Sequence, residues 1–173
     1  MTDLFADTPS PPPHVDEPRA DAPLADRLRP RTLSEVIGQD HLTGPEGAIG
    51  RMVAAGRLSS MILWGPPGTG KTSIARLLAD AVGMRFAAIS AVFSGVADLK
   101  RVFAEADVAA RAGQRTLLFV DEIHRFNRAQ QDGFLPFVER GTVTLVGATT
   151  ENPSFELNAP LLSRTQVLIL NRL

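Results

Sequence analysis

The sequence predicts an α/β domain, a central parallel sheet flanked by helices. Three observations predict it. Short apolar runs of strand length alternate with amphipathic stretches of helix length from residue 61 onward. A glycine-rich loop, "GPPGTGKT" at 65–72, joins the first such run to the next helical stretch. The most apolar run, "TLLFVD", ends at Asp121 and is followed by Glu122, two acids side by side. Strands and helices alternating at this length imply parallel pairing through right-handed crossovers, with helices on both faces. In such sheets ligands bind outside the carboxyl ends of the strands.

Each element has its own reason. Residues 1–23, including "TPSPPPHVDEPRADAP", are proline-rich and poor in large apolar side chains, so they read as a disordered tail. The domain is expected over 24–173. Pro30 stops any helix there, and Thr32 or Ser34 can cap a short one. "AIGRMVAAGRL" has helical apolar spacing and predicts a helix ending near Leu58. "MILW" (61–64) reads as a buried strand. "KTSIARLLADAV" (71–82) reads as a helix with Ile74, Leu77, Leu78 and Ala81 on one face. "RFAAIS" (85–90) is a strand, and 96–113 a helix closed by Gly113. "TLLFVD" (116–121) is a strand apolar on both faces. Residues 127–141 are helical, with Gly133 and Pro136 weakening or kinking the helix. "TVTLVGAT" (142–149) is a strand, "NAPLLSR" (158–164) a short helix, and "QVLIL" (166–170) the last strand.

Composition narrows the function classes. The chain has 173 residues, 44% of them hydrophobic and 21% charged, ordinary values for a globular domain. The formal net charge is -1, so any nucleic-acid contact must come from a local patch. Cysteine is absent, which excludes a disulfide framework and cysteine metal sites. No apolar run is long enough to span a bilayer, and the acidic start "MTDLFADTPS" is no secretory signal. A cytoplasmic protein is expected.

The loop "GPPGTGKT" fits the phosphate-binding pattern G-x-x-x-x-G-K-[ST] in full, between a strand and a helix. Its glycines, Gly65, Gly68 and Gly70, let successive backbone N–H groups converge on one anion, and Pro66, Pro67 and Thr69 complete the loop. The helix N-terminus adds its positive end. Lys71 then reaches the β- and γ-phosphates of ATP, and Thr72 ligates Mg²⁺. Asp121, at the tip of the apolar strand, is the second Mg²⁺ residue. Glu122 is the group that orients and polarises the attacking water. With both motifs present the chain reads as a P-loop nucleoside triphosphatase.

The segments "PLADRLRPRTLSEVIGQDHL", "DEIHRFNRAQQD" and "VGATTENPSFELNAPLLSR" are more specific. With the phosphate loop, they resemble the clamp-loader type of AAA+ ATPase over residues 24–173. More narrowly, they resemble the replication-associated recombination protein A family, whose eukaryotic relative is the Werner-helicase-interacting protein. The resemblance implies that Leu28, Arg29, Pro30, Val36 and Ile37 line an adenine pocket, whose apolar walls suit a purine. It implies a sensor role for Thr150, with Thr149 the alternative because a one-residue slip changes the face. Ser90 becomes a candidate to restrain Glu122. Arg164 falls on the arginine-finger position of an "SRC" motif, here "SRT", and would serve a neighbouring subunit's γ-phosphate.

The family's known properties add expectations. They are a DNA-stimulated ATPase acting at stalled or gapped forks, a homotetramer, a helical lid and C-terminal oligomerisation region beyond Leu173, and a nucleoid-associated place in a bacterium. The chain is accordingly expected to be a fragment, the large subdomain without its lid. Arg125 and Arg128 are the DNA-binding candidates, with Lys100, Arg101, Arg111 and Arg115 extending the surface. The resemblance also suggests single-strand-binding protein or the sliding clamp as partners, and "DLF" at Asp3–Phe5 is similar to clamp-docking peptides. An ATP-gated scaffold and a Holliday-junction branch-migration motor are the competing readings.

Overall fold

The structure is a computed structural model that describes Leu24 and residues 28–173. The expectation of a disordered tail over 1–23, with its "DLF" segment, lies outside the described residues. Five strands form one sheet: β1 (Met61–Trp64), β2 (Arg85–Ser90), β3 (Thr116–Asp121), β4 (Val143–Thr149) and β5 (Gln166–Ile169). They lie in the order β2-β3-β4-β1-β5, and every pairing is parallel. The helices are α1 (Asp40–Thr43), α2 (Ala48–Ala55), α3 (Lys71–Val82), α4 (Val96–Arg111), α5 (Arg128–Glu139), α6 (Pro153–Glu156) and α7 (Ala159–Ser163).

The central strands β3, β4 and β1 are buried on both faces, as their uninterrupted apolar runs require, while Val167 and Ile169 of the edge strand β5 are exposed. Side chains alternate with period two. Met61, Leu63, Leu117, Phe119, Val146 and Ala148 point to one face, where they pack with Ile74 and Leu78 of α3 and with Val36, Leu42 and Ile49 before β1. Ile62, Leu118, Val120 and Leu145 point to the other, against Leu99 and Phe103 of α4, Phe134 of α5 and Leu161 of α7.

Most predicted elements are present within a residue or two. Three details differ. The helix expected to end near Leu58 ends at Ala55, because Gly56 takes a left-handed conformation (φ +66°) and closes it. The buried face of α3 is Ile74, Ala75, Leu77, Leu78 and Ala79, whereas Ala81 is exposed. α6 is not among the elements predicted above; Asn152 caps it by accepting from the Ser154 N–H at 3.0 Å, with Pro153 in its first turn. α5 runs continuously through Pro136. Pro136 and Asp132 are both exposed, so the carbonyl that loses its helical donor sits on the water side.

One glycine of β4 matters for the site. A Cβ at Gly147 would lie 2.8 Å from Cδ1 of Ile62 and 3.0 Å from Cδ1 of Ile123. Ile123 belongs to the 3-10 turn Ile123–Arg125 that follows Glu122. The missing side chain therefore lets this turn settle onto β4. Gly147→Val should destabilise the fold by overpacking, by about 1–3 kcal/mol. Urea unfolding should show a lower midpoint at unchanged slope, and an unchanged midpoint would refute the packing argument.

Candidate nucleotide site

Parallel strands end on the same side, so the loops after β1, β3 and β4 meet. Register makes this specific: Trp64 stands opposite Thr149 and Val120 opposite Gly147. The Gly65 N–H extends the pairing by donating to the Thr149 carbonyl at 3.1 Å. A cleft of about 610 Å³ opens there, lined by Arg29, Pro30, residues 67–73, Arg76, Leu77, Asp121, Glu122 and Thr150.

The glycines of the loop serve two purposes. Gly68 and Gly70 have φ of +75° and +88° with open space beside them, so backbone conformation is what requires glycine. Gly65 is a packing requirement, since a Cβ there would stand 2.9 Å from Cβ of Leu170. Thr69 is buried and braces the loop by donating to the Pro66 carbonyl at 2.9 Å. Lys71 donates to the carbonyls of Gly65 (2.8 Å) and Pro66 (2.7 Å). Burial lowers the Lys71 pKa below the ordinary lysine value, and the charges of Asp121 and Glu122 act in the opposite direction. An ammonium partly stripped of water, folded onto its own loop, is ready to exchange carbonyls for an anion.

The cleft collects Arg29, Pro30, Pro67, Gly68, Thr69, Gly70, Lys71, Thr72, Asp121, Glu122 and Thr150 from the residues proposed on sequence grounds. Gly65 and Pro66 lie at the base of the loop and hold Lys71. Of the other adenine-pocket candidates, Val36 is buried in the core, while Leu28 and Ile37 are exposed and outside this lining. Ser73 and Arg76 are not among the residues named from the sequence, and Leu77 is named only for the helix's apolar face. Their i, i+3, i+4 spacing on α3 was the available signal, because it turns one helix face toward whatever the loop binds.

The two threonines at the end of β4 separate cleanly. Thr150 faces the cleft. Thr149 is fully buried, with Oγ1 2.8 Å from Nδ1 of His124. The proposed link from Ser90 to Glu122 is not seen. The Ser90 hydroxyl accepts from the Val92 N–H at 3.3 Å, and the Glu122 carboxylate instead meets Nε2 of His124 at 3.2 Å. Glu122 itself has φ +53° and ψ +44°, a left-handed conformation that costs about 1–3 kcal/mol for a residue with a Cβ. Strain of that kind persists only where surrounding contacts hold it.

Thr72 and Asp121 would supply oxygen ligands only, which suits Mg²⁺, an ion that keeps several waters and takes the rest of its shell from substrate phosphates. Among the described residues no cluster of three or more His, Asp or Glu forms a metal cage.

Arg164 is not part of the cleft. Its Nε donates to Oε1 of Glu139, and its Nη1 to the Pro160 carbonyl at 2.8 Å. A polar clasp fixes the segment leading to it. Gln131 of α5 is buried, donates to the carbonyls of Phe126 (2.9 Å) and Glu156 (3.2 Å), and accepts from the Asn158 N–H (2.9 Å). Asn158 also donates to Oδ1 of Asp132. "NRAQQD" and "ELN" are thus two halves of one contact. Arg125 and Arg128 are exposed and form no ion pair among the described residues, whereas Arg101 pairs with Asp98 at 3.6 Å. No helix among the described residues is long and apolar enough to cross a membrane.

Gln131→Leu leaves the Glu156 carbonyl and the Asn158 N–H without partners, so it should cost at least about 2 kcal/mol in urea unfolding. A change below about 0.5 kcal/mol would show that water replaces the clasp freely.

Comparisons with known proteins agree with this geometry. Residues 61–173 match the family described as "ATPase family associated with various cellular activities (AAA)". The chain is 55% identical over 151 residues to the replication-associated recombination protein A of Coxiella burnetii, and 54% identical to that of Escherichia coli K12. Each match covers 87% of this chain and 34% of the relative, so the chain spans about a third of their length. It is 47% identical over 152 residues to the ATPase WRNIP1 of Dictyostelium discoideum, covering 88% of this chain and 17% of that protein. Among solved structures, the RuvB Holliday junction branch migration motor of Thermotoga maritima matches with a TM-score of 0.66 at 33% identity, over 83% of this chain and 48% of that one. The chain belongs to the AAA family of ATPases, and the likeness to replication-associated recombination protein A expected from its motifs is borne out.

Proposed function

We propose that this chain is the nucleotide-hydrolysing part of a DNA-dependent ATPase of the replication-associated recombination protein A type. It works in an oligomer, a tetramer by family resemblance, on stalled or gapped replication forks. The observation that carries the reading is the single cleft joining Lys71, Thr72, Asp121, Glu122 and Thr150 while leaving Arg164 outside. Binding alone needs the loop and the lysine. A carboxylate beside the phosphates, in addition to the one that serves the metal, is what hydrolysis needs.

The chain's own groups then divide the work. The loop N–H groups and Lys71 bind the β- and γ-phosphates, Lys71 leaving the carbonyls of Gly65 and Pro66 to do so. Arg29 and Pro30 border the nucleoside. Thr72 and Asp121 would hold Mg²⁺, which when bound would supply positive charge to offset that of the phosphates. Water adds to the γ-phosphorus as the β–γ bridging P–O bond breaks, and Glu122 takes the proton that water loses. Thr150 bonds the γ-phosphate or that water. Arg164 of an adjacent chain neutralises charge in the transition state, a role worth roughly 10³–10⁵ in rate where arginine fingers are known. DNA contacts fall to Arg125 and Arg128, and contacts of this kind weaken steeply with salt. On this reading the protein acts in the bacterial cytoplasm, at the nucleoid, with single-strand-binding protein or the sliding clamp as candidate partners.

An ATP-gated scaffold would share the loop and lysine but not depend on Glu122. The higher identity to the recombination proteins than to the branch-migration motor favours the former over the latter. Three variants discriminate. Lys71→Ala should lose nucleotide binding. Glu122→Gln and Arg164→Ala should bind ATP and lose at least roughly 100-fold in turnover. Mixing Lys71→Ala with Arg164→Ala should restore part of the activity, because one chain has an intact pocket and the other an intact arginine. In the same assay, forked DNA should stimulate the wild type but not a chain with Arg125→Ala and Arg128→Ala. Equal, slow hydrolysis by wild type and Glu122→Gln would favour the scaffold.

A further inference from the structure

Glu122 is the one non-glycine residue with positive φ among the described residues. The contacts that hold it come from the two residues after it. Ile123 fills the space over Gly147. The imidazole of His124 turns back, and its Nε2 meets Oε2 of Glu122 at 3.2 Å. His124 is anchored from behind by Thr149, whose Oγ1 lies 2.8 Å from Nδ1. The His124 side chain is only 10% exposed, so water does not readily replace either contact.

The hydrogens available constrain which ring nitrogen can donate. Thr149 Oγ1 accepts from the Glu151 N–H at 3.0 Å. It has one hydrogen to give, either to Nδ1 of His124 or to the Glu151 carbonyl at 3.1 Å. If it gives to Nδ1, a neutral ring carries its own proton on Nε2. If it gives to Glu151, Nδ1 is the donor, and the contact between Nε2 and Oε2 then needs a further hydrogen, on the ring or on the carboxyl. The first arrangement satisfies every contact with a neutral ring and puts an N–H on Nε2, aimed at the Glu122 carboxylate.

We propose that His124 is the positioning residue of the hydrolytic site, holding the Glu122 carboxylate in place and itself oriented by Thr149. The inference rests on the hydrolytic reading above. Glu122 lines the cleft in this conformation, and its charge acts on Lys71. The bond therefore holds the carboxylate toward the phosphates rather than away from them. It occupies Oε2 and leaves Oε1 to take a proton from water. Thr149 adjoins Thr150, so the strand end that faces the phosphates also sets the orientation of the general base.

The test is ATP turnover and ADP affinity for wild type, His124→Ala, His124→Gln and Thr149→Val. His124→Ala should lower kcat by roughly 10-fold or more while KM and ADP affinity stay within about two-fold. His124→Gln, whose amide N–H can still donate, should recover part of the loss, and Thr149→Val should fall between. Wild-type kcat in His124→Ala would overturn the proposal, as would equal losses in His124→Ala and His124→Gln. NMR of the ring nitrogens gives a readout independent of turnover, since the chain has only three histidines. A protonated Nε2 on His124 supports the proposal, and an unprotonated one overturns it. Should the wild type fail to hydrolyse ATP with Mg²⁺, the hydrolytic reading falls, and the ring nitrogens alone decide whether His124 holds Glu122.

Discussion

The parallel register of β3, β4 and β1 is the constraint on which the rest depends. It sets Trp64 beside Thr149 and Val120 beside Gly147, so that three strand ends finish in one place. Each end then contributes one kind of group. After β1 comes the loop with its N–H donors and Lys71, after β3 the two carboxylates, and after β4 the two threonines. A slip of one residue between β3 and β4 would exchange the side chains that the two faces present. Both faces of these strands are apolar, so shape holds the register: Gly147 leaves the space that Ile62 and Ile123 fill, and a slip would put a larger side chain there. Apolar packing thus fixes the geometry of a polar site that contributes little to burial itself.

The second feature is how the chain connects this cleft to Arg164. Two segments run side by side after the strand ends, one from Glu122 through α5 and the other from Thr149 to α7. They are joined at His124 and Thr149, at Gln131 with Glu156 and Asn158, at Asp132 with Asn158, and at Glu139 with Arg164. Near the cleft the joints are shielded from water. At Arg164 the pair is exposed, where an ion pair contributes about 0–1 kcal/mol and yields easily to a better partner. The arrangement is firm where a carboxylate needs fixing and loose where an arginine has to be handed to another molecule.

Much of this was readable from local signals. Strand and helix periods, the strand–loop–helix setting of "GPPGTGKT" and the acids after an apolar strand depend only on neighbours in sequence. So does Thr150 rather than Thr149 at the cleft, once β4 ends at Thr149. The unread parts are contacts between segments far apart in sequence. A histidine two residues after Glu122 looks like filler for a core until Thr149 is seen beside it. Gln131 sits on the same helix face as Phe134, and nothing local shows that its amide serves a loop 25 residues away. Family-specific "NRAQQD" and "ELN" were recognised as unusual, but polar complementarity across a fold has no periodicity to reveal it. Leu28 and Ile37 lie outside the cleft for a related reason: an apolar residue near a turn is equally compatible with a wall, a core or an exposed surface.

The central claim is that the cleft and Arg164 of one chain serve two different nucleotides. Specific ATPase activity measured across a wide range of protein concentration tests it most directly. Activity per chain should rise with concentration and level off as neighbouring chains supply Arg164. Activity per chain that is the same at every concentration, down to where the protein is monomeric, would contradict the account.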